Sequence, residues 1–391
     1  MKKNIAKKLL GLSAAAVTAL SMTACTGNAP QAQGATEPAE LTDITLVLDW
    51  TPNTNHTGFY VAQDQGYFAE EGLNVSIVQP PEDGAVAMVA SGQAQFGIDF
   101  QDYLAPVFTS EEEIPVEAVA ALIQHNTSGI ISLKEDGIDS PKGLEGKNYA
   151  TWDLPVEKAM MQNIVEADGG DFSKVNMIPE YVENEPAALQ QDIDAIWVYY
   201  AWAGISCKQA GLDTNMIYFK DITPEFDYYS PVIISNTNWL SENPDTAKAF
   251  LRAVAKGYEY AIADPDSAAE ILCRQVPELD AELVKESQNW LADQYKAEVS
   301  QWGYIDQARW DAFFTWLSEN GLSEEIPAGF GFTNYLFLYA IGEDYDFNAY
   351  IEPQTYLIAA LGTILVMLFT SVILARSLKK IDMVASLKAN E

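Results

Sequence analysis

From Asp43 onward short apolar runs alternate with helical patterns, and this alternation narrows the possible folds more than anything else in the chain. ITLVLDW reads as a strand and TGFYVAQDQGYF as a helix. LNVSIVQP, EDGAVAMVASGQ and AQFGIDF follow as strand, helix and strand, with DYLAPVFTSEEE as the next helix. After the runs VEAVAALIQ and GIISLK, KNYATW leads into PVEKAMMQNIVEADGG, and IDAIWVYY into AWAGISCKQAG. Strands separated by helices cannot close as tight hairpins. They pair side by side through crossovers that lay helices on the sheet faces. The pattern therefore predicts α/β architecture with mainly parallel sheets, and the stretch 43–333 is long enough for two such lobes. The segment from DTAKAFLRAVAKGYEYAIADPDSAAEIL to ARWDAFFTWLSENGL is strongly helical, with Phe250, Val254, Tyr258 and Ala261 recurring on one face.

In parallel sheets the loops after the strands' carboxyl ends form the ligand crevice. DWTPNTNH after the first strand occupies such a place, as do DFQDY after FGI, TWDLPVE after KNYA and YYAW after IDAIW. All four are rich in aromatic and hydrogen-bonding side chains. That composition suits a small, flat, polar ligand, whose ring stacks on aromatic faces and whose nitrogens meet carboxylates or amides.

The chain carries 22 Lys+Arg against 56 Asp+Glu, a formal net charge of -34, which repels phosphate backbones and excludes nucleic acid as a partner. Enzymatic motifs are missing: no GxSxG elbow, no P-loop, no GxGxxG after the first strand, no HExxH and no CxxC. With two histidines, His56 and His125, a metal site would need carboxylates from distant segments, so neither metal nor cofactor is expected. His56 is expected to orient its loop. Of the three cysteines, Cys207 and Cys273 are either bridged or buried as small apolar groups.

Both ends concern membranes. Residues 1–24 have a lysine-rich start and an apolar stretch from Leu9 to Leu20, as a secretory signal does. The following MTAC resembles a bacterial lipobox with Cys25 as its lipidated residue, and residues 25–42 read as a flexible tether. Gln354 to Ala375 contains no charge, and as a helix would span about 30 Å, the thickness of a bilayer core. Arg376, Lys379 and Lys380 follow it, which predicts a cytoplasmic C-terminus and an extracytoplasmic body.

DWTPNTNHTGFYVAQDQGYFAEEGLNV resembles the first strand, loop and helix of ABC-transporter solute-binding proteins of the SsuA/ThiY type. The likeness is strongest to the ThiY-like members, which bind aminopyrimidine precursors of thiamine. ASGQAQFGIDFQDYLAP, AALIQHNTSGIISLKEDGIDSPKGLEGK, PVEKAMM, IDAIWVYYAW and YYSPVIISN continue it in order, over about residues 43–334. The resemblance implies a type II periplasmic-binding-protein fold of two α/β lobes joined by a hinge. Lobe 1 would take residues 43–133 and 229–333, and lobe 2 residues 134–228. It also implies a small ligand held between the lobes and handed to a membrane permease subunit. On this reading Trp50 and Tyr199 or Trp202 stack on the ligand. Asp49, Asn53, Asn55, Gln101 and Glu157 read its amino group and ring nitrogens, and Tyr60 and Tyr229 line the cleft. Relatives that bind sulfonates or taurine offer a second ligand class. Fungal thiamine-pyrimidine synthase, an enzyme, shares the fold and the first-loop pattern. Its cysteine cluster falls where this chain has EFDYYSPVI and its reacting histidine near GIDFQDYLA, neither of which holds the needed residue. The tail, residues 334–391, resembles the last helix and end of FtsX/MacB-type ABC permeases, particularly in KKIDMVASLKANE, and would act as an anchor.

Overall fold

The computed structural model describes residues 41–336. The signal-like start, Cys25, the tether up to residue 40, the uncharged run 354–375 and the permease-like tail from residue 337 lie outside them. Among the described residues no helix is long and apolar enough to cross a membrane.

Ten strands form two five-stranded sheets. The first holds β1 (Thr42–Val47), β2 (Leu73–Val78), β3 (Phe96–Asp99), β4 (Val116–Ala121) and, late in the chain, β10 (Val232–Asn236). Its order is β2-β1-β3-β10-β4, with β1 parallel to both neighbours and β10 antiparallel to both of its own. The second holds β5 (Ser128–Leu133), β6 (Asn148–Thr151), β7 (Asn176–Pro179), β8 (Ala195–Tyr199) and β9 (Thr214–Tyr218) in the order β7-β6-β8-β5-β9. Here β5 runs antiparallel to β8 and β9.

These antiparallel strands qualify the parallel expectation for a topological reason. β5 is the strand on which the chain enters the second sheet and β10 the one on which it returns, and each arrives from the end opposite to its neighbours. The crossing also needs correcting. The sequence reading placed it near Leu133, whereas β5, which ends there, already pairs within the second sheet. The chain crosses between Ala121 and Ser128 and returns between Tyr218 and Val232.

Both faces of the first sheet are covered. In β1, Ile44 and Leu46 enter one apolar cluster and Val47 the other, which explains a nearly continuous apolar strand instead of an alternating one. The helix Pro244–Ala263 begins with proline at its first turn and buries Phe250, Val254, Tyr258 and Ala261, the face read from the sequence. Phe250 stacks on Phe96 of β3 with ring centroids 3.9 Å apart. This helix meets Thr57–Asp64 backbone to backbone. A Cβ on Gly257 would strike the carbonyl of Gly58, and one on Gly58 would strike the ring of Tyr258. Cys207 and Cys273 are both free, the former buried.

Two short segments carry the chain between the sheets, and they are tied together. His125 meets Asp227 at 2.6 Å and Glu298 at 2.9 Å, and the backbone N–H of Asn126 donates to Asp227. Arg309 pairs with Glu298 at 3.2 Å and lies over the ring of Tyr229. The carboxylates beside His125 hold its acidity weakened, with Asp227 contributing most, while the Glu298 carboxyl drops to about 2.

Candidate functional site

The loop after β1 is fixed from beneath. Asn53 caps the short turn Thr54–His56, its side chain accepting from the N–H of Asn55. Tyr258 donates to the carbonyl of Asn55 and Tyr295 to that of Thr54, both at 2.6 Å. His56 is buried, with Nδ1 accepting from the N–H of Asn53 at 3.1 Å and Nε2 lying 2.5 Å from Asp49 Oδ1. A backbone N–H can only donate, so Nδ1 carries the lone pair and the proton sits on Nε2, facing Asp49. Both ring nitrogens are thus engaged, and neither is available to move a proton to or from a substrate. The pair is an orienting device that aims the remaining edge of Asp49.

Around Asp49 gather side chains from strand ends of both sheets. Trp50 is 55% exposed and faces Tyr181, 59% exposed, across 6.4 Å between ring centroids. Trp50 follows a strand of the first sheet and Tyr181 a strand of the second, so the rings stand on opposite walls. Asp99 ends β3, its Oδ1 accepting from the N–H of Phe100 at 2.7 Å. Asp102 lies in the first turn of the helix Gln101–Phe108. Phe100 packs edge-on to Tyr103 and stacks with Tyr199 of the second sheet at 6.1 Å. Tyr199 Oη is 3.0 Å from Ser230 Oγ. Tyr103 and Trp152, 49% and 42% exposed, extend the aromatic surface. Asp153, beside Trp152, is one of two non-glycine residues with positive φ among those described, at 63°.

The electrostatics are one-sided. Burial pushes the Asp99 carboxyl up to about 7 against the opposing Phe100 N–H, and nearby Asp102 and Asp49 add to the rise. Burial likewise pushes Asp102 up to about 7, against the N–H groups of its own helix turn. Among the described residues no lysine or arginine forms an ion pair with Asp49, Asp99 or Asp102, and no group of three or more His, Cys, Asp or Glu side chains could hold a metal. Such a site favours a neutral or cationic donor-bearing ligand and disfavours an anion.

The structure brings Asp49, Trp50 and Tyr199 together, with Asn53 and Asn55 shaping the loop beneath. Two expected readers, Gln101 and Glu157, and one expected lining residue, Tyr229, have bracing roles instead. Gln101 is fully buried, accepts from Tyr229 N at 2.9 Å and donates to the carbonyl of Trp310 at 2.8 Å. Tyr229 is also buried, its hydroxyl accepting from Asp306 N. The Glu157 carboxylate is saturated by Tyr149 Oη, Thr151 Oγ1 and Trp152 N, and through the last of these it positions the Trp152 loop. Tyr60 and Trp202 pack elsewhere, in an apolar cluster with Leu272, Val276 and Val284. Asp99, Asp102, Phe100, Tyr103, Trp152 and Tyr181 were not singled out from the sequence. All but Tyr181 lie in or beside strand-end loops that were marked as crevice segments.

Comparison with known proteins gives a consistent outcome. The family described as NMT1/THI5 like matches residues 53–268. A formylaminopyrimidine-binding protein of Halalkalibacterium halodurans is 30% identical over 305 residues, 75% of this chain and 90% of that protein. A 4-amino-5-hydroxymethyl-2-methylpyrimidine phosphate synthase of Saccharomyces cerevisiae is 23% identical over 72% of this chain and 83% of its own length. In fold, the chain resembles the alkanesulfonate-binding protein SsuA of Xanthomonas axonopodis pv. citri, with a TM-score of 0.56 at 11% identity, covering 76% of this chain and 99% of that one.

Proposed function

Because the chain belongs to the NMT1/THI5-like family, we propose that it is the substrate receptor of an ABC importer, taking an aminopyrimidine precursor of thiamine between its two lobes. The observation that carries this reading is the cleft itself. Trp50 and Tyr181 approach each other from strand ends of the two different sheets, with ring centroids 6.4 Å apart and planes 48° from parallel. Among the described residues no lysine or arginine pairs with Asp49, Asp99 or Asp102. A planar ring that stacks on Trp50 and meets Tyr181 edge-on or tilted touches both walls only when they are close together. It therefore binds the closed form better and shifts the population toward it by that difference alone. The closed form is what a permease would recognise. The binding protein among the relatives is 30% identical and the synthase 23%, which favours reception over synthesis. The engaged ring nitrogens of His56 point the same way.

The carboxylate group speaks against the sulfonate class, since an anion placed beside Asp49, Asp99 and Asp102 meets like charge in a poorly solvated setting. Calorimetric titration with formylaminopyrimidine, 4-amino-5-hydroxymethyl-2-methylpyrimidine, thiamine and taurine tests this. A pyrimidine Kd of about 1 μM corresponds to about 8 kcal/mol. At a hundredfold excess over Kd it would stabilise the fold by about 2.7 kcal/mol, a visible rise in melting temperature. Heat from taurine and none from any pyrimidine would sink the ligand assignment.

The same reading places the protein outside the cytoplasmic membrane, held by a lipid on Cys25, with the uncharged run 354–375 as a second anchor. Cells fed a clickable palmitate should label the wild-type chain and not Cys25→Ser. Equal labelling of the two would refute lipidation there.

A further inference from the structure

Where β8 ends, the chain makes the wide π turn Tyr200–Gly204 and continues into the short helix Ile205–Gln209. The turn straddles the two sheets. Ala203 and Cys207 are buried in an apolar cluster with Ile131, Ala150 and Ile196 of the second sheet. Ala201 is buried instead with Ile44, Leu46 and Phe96 of the first sheet, in a cluster whose other members all lie outside residues 128–218. Trp202 packs on a third cluster, that of Tyr60, Leu272 and Val284, and is again its one member from residues 128–218. A π turn carries more residues than a regular helical turn and so re-aims the side chains along it. A Cβ on Gly204 would strike the Tyr200 ring, and that ring reaches Trp290 at 5.1 Å between centroids.

Trp290 lies on the helix Ala281–Leu291, which makes two further contacts. Glu286 accepts from Lys208 and Gln209 of the short helix. The buried Ser287 Oγ, one residue on, is 2.6 Å from Thr54 Oγ1, in the loop that carries Asp49 and Trp50. One helix thus braces the candidate ligand loop and grips the chain leaving the second sheet. These contacts coexist with the approach of Trp50 to Tyr181 across the cleft, so they belong to the arrangement in which the two walls are together. None of them needs a ligand.

We propose that the turn Tyr200–Gly204 and the helix Ala281–Leu291 form a clasp between the two sides of the cleft, anchored by Trp202, which sets ligand affinity without touching ligand. The inference rests on the importer reading above and deepens it by assigning positioning residues that act through the arrangement of the walls. A contact made only in the closed form raises the share of receptor that is ready to bind, and apparent affinity scales with that share. The clasp therefore tightens every ligand by one factor and confers no selectivity.

The test follows single-molecule energy transfer in the full chain between dyes clicked to azide-bearing side chains introduced at Lys142 and Glu242, an exposed site on each side. Calorimetry with formylaminopyrimidine and 4-amino-5-hydroxymethyl-2-methylpyrimidine accompanies it. Trp202→Ala should lower the ligand-free closed fraction about tenfold and raise Kd for both pyrimidines by that same factor. Glu286→Lys, on the partly exposed ion pair, should lower the closed fraction about threefold, and adding Lys208→Glu should restore it. A closed fraction unchanged or raised in Trp202→Ala would overturn the clasp. If that variant does not fold, a closed fraction unmoved by Glu286→Lys would overturn it instead. Unequal losses for the two pyrimidines would also do so, by showing that the side chain meets ligand. Failure of the wild type to bind either pyrimidine would overturn the importer's ligand alone, since the energy-transfer fractions decide the clasp without one.

Discussion

Trp50 is more than half exposed, just beyond a strand that buries Ile44, Leu46 and Val47, and its ring carries no part of the core. Trp50→Ala should therefore leave the melting temperature of the ligand-free protein unchanged while lowering pyrimidine affinity about tenfold, the worth of one stacked ring. A loss of stability without a loss of affinity would place the ring against the protein instead. Asp102 gives a pH signature. Its folded acidity is weakened to about 7, against about 3.9 for an unfolded aspartate. A group raised in this way contributes stability that is complete below the unfolded value and lost as pH rises through the folded one. Melting curves of wild type and Asp102→Asn should therefore diverge in favour of the variant between pH 4 and 8, and parallel curves would show an already solvated carboxylate. Some of these residues were legible and some were not. A tryptophan and an aspartate that close an apolar run have no packing reason to be there, so Asp49 and Trp50 stood out. Asp102 reads as an ordinary acid in a helix's first turn. Tyr181, in EYVENEP, has no periodicity to mark it and comes to the cleft only through the meeting of two sheets.

The strands and the long helices were readable as elements because their burial is periodic. ITLV, FGI, GIIS and AIWV all became strands, and the face of Pro244–Ala263 fell as its spacing required. What the pattern could not convey was direction. An apolar run looks the same in either sense, so the antiparallel placement of β5 and β10 had no sequence signal. The wide π turn at Tyr200–Gly204, read as ordinary helix, was equally silent. Gly257 offers a test of helix packing. Only a residue without Cβ lets its helix reach the carbonyl of Gly58. Gly257→Ala should cost about 1–3 kcal/mol despite alanine's better helix propensity. Chemical denaturation measures this, and an unchanged or raised midpoint would show that the two helices can part without penalty.

At the scale of the whole molecule, an α/β chain long enough for two sheets was legible from length and alternation, while the crossing between them lay earlier than read because a strand beside a crossing looks like any other. The knot of His125, Asp227, Glu298 and Arg309 ties both crossing segments to the helix Gln307–Glu319 and to the turn that precedes it. His125 is held more basic than a free histidine, chiefly by Asp227. Its contribution is present in full below about pH 6.5 and is lost as pH rises through the raised folded value. The melting-temperature gap between wild type and His125→Gln should thus be open at pH 6 and closed by pH 9, and a gap independent of pH would assign the histidine a packing role only. The sheet order has a consequence for how the molecule is made. β4 pairs with β10, and its remaining β-bridges are to Gly303 and Phe332, all later in the chain. The second sheet lies entirely within residues 128–218 and has all five strands in hand as soon as that stretch has been synthesised. The first sheet must wait, with β3 and β4 presenting open edges across the gap that β10 will fill. A chain halted after Tyr218 holds one finished half and one half split down its centre, so the lobe begun first is the lobe completed last.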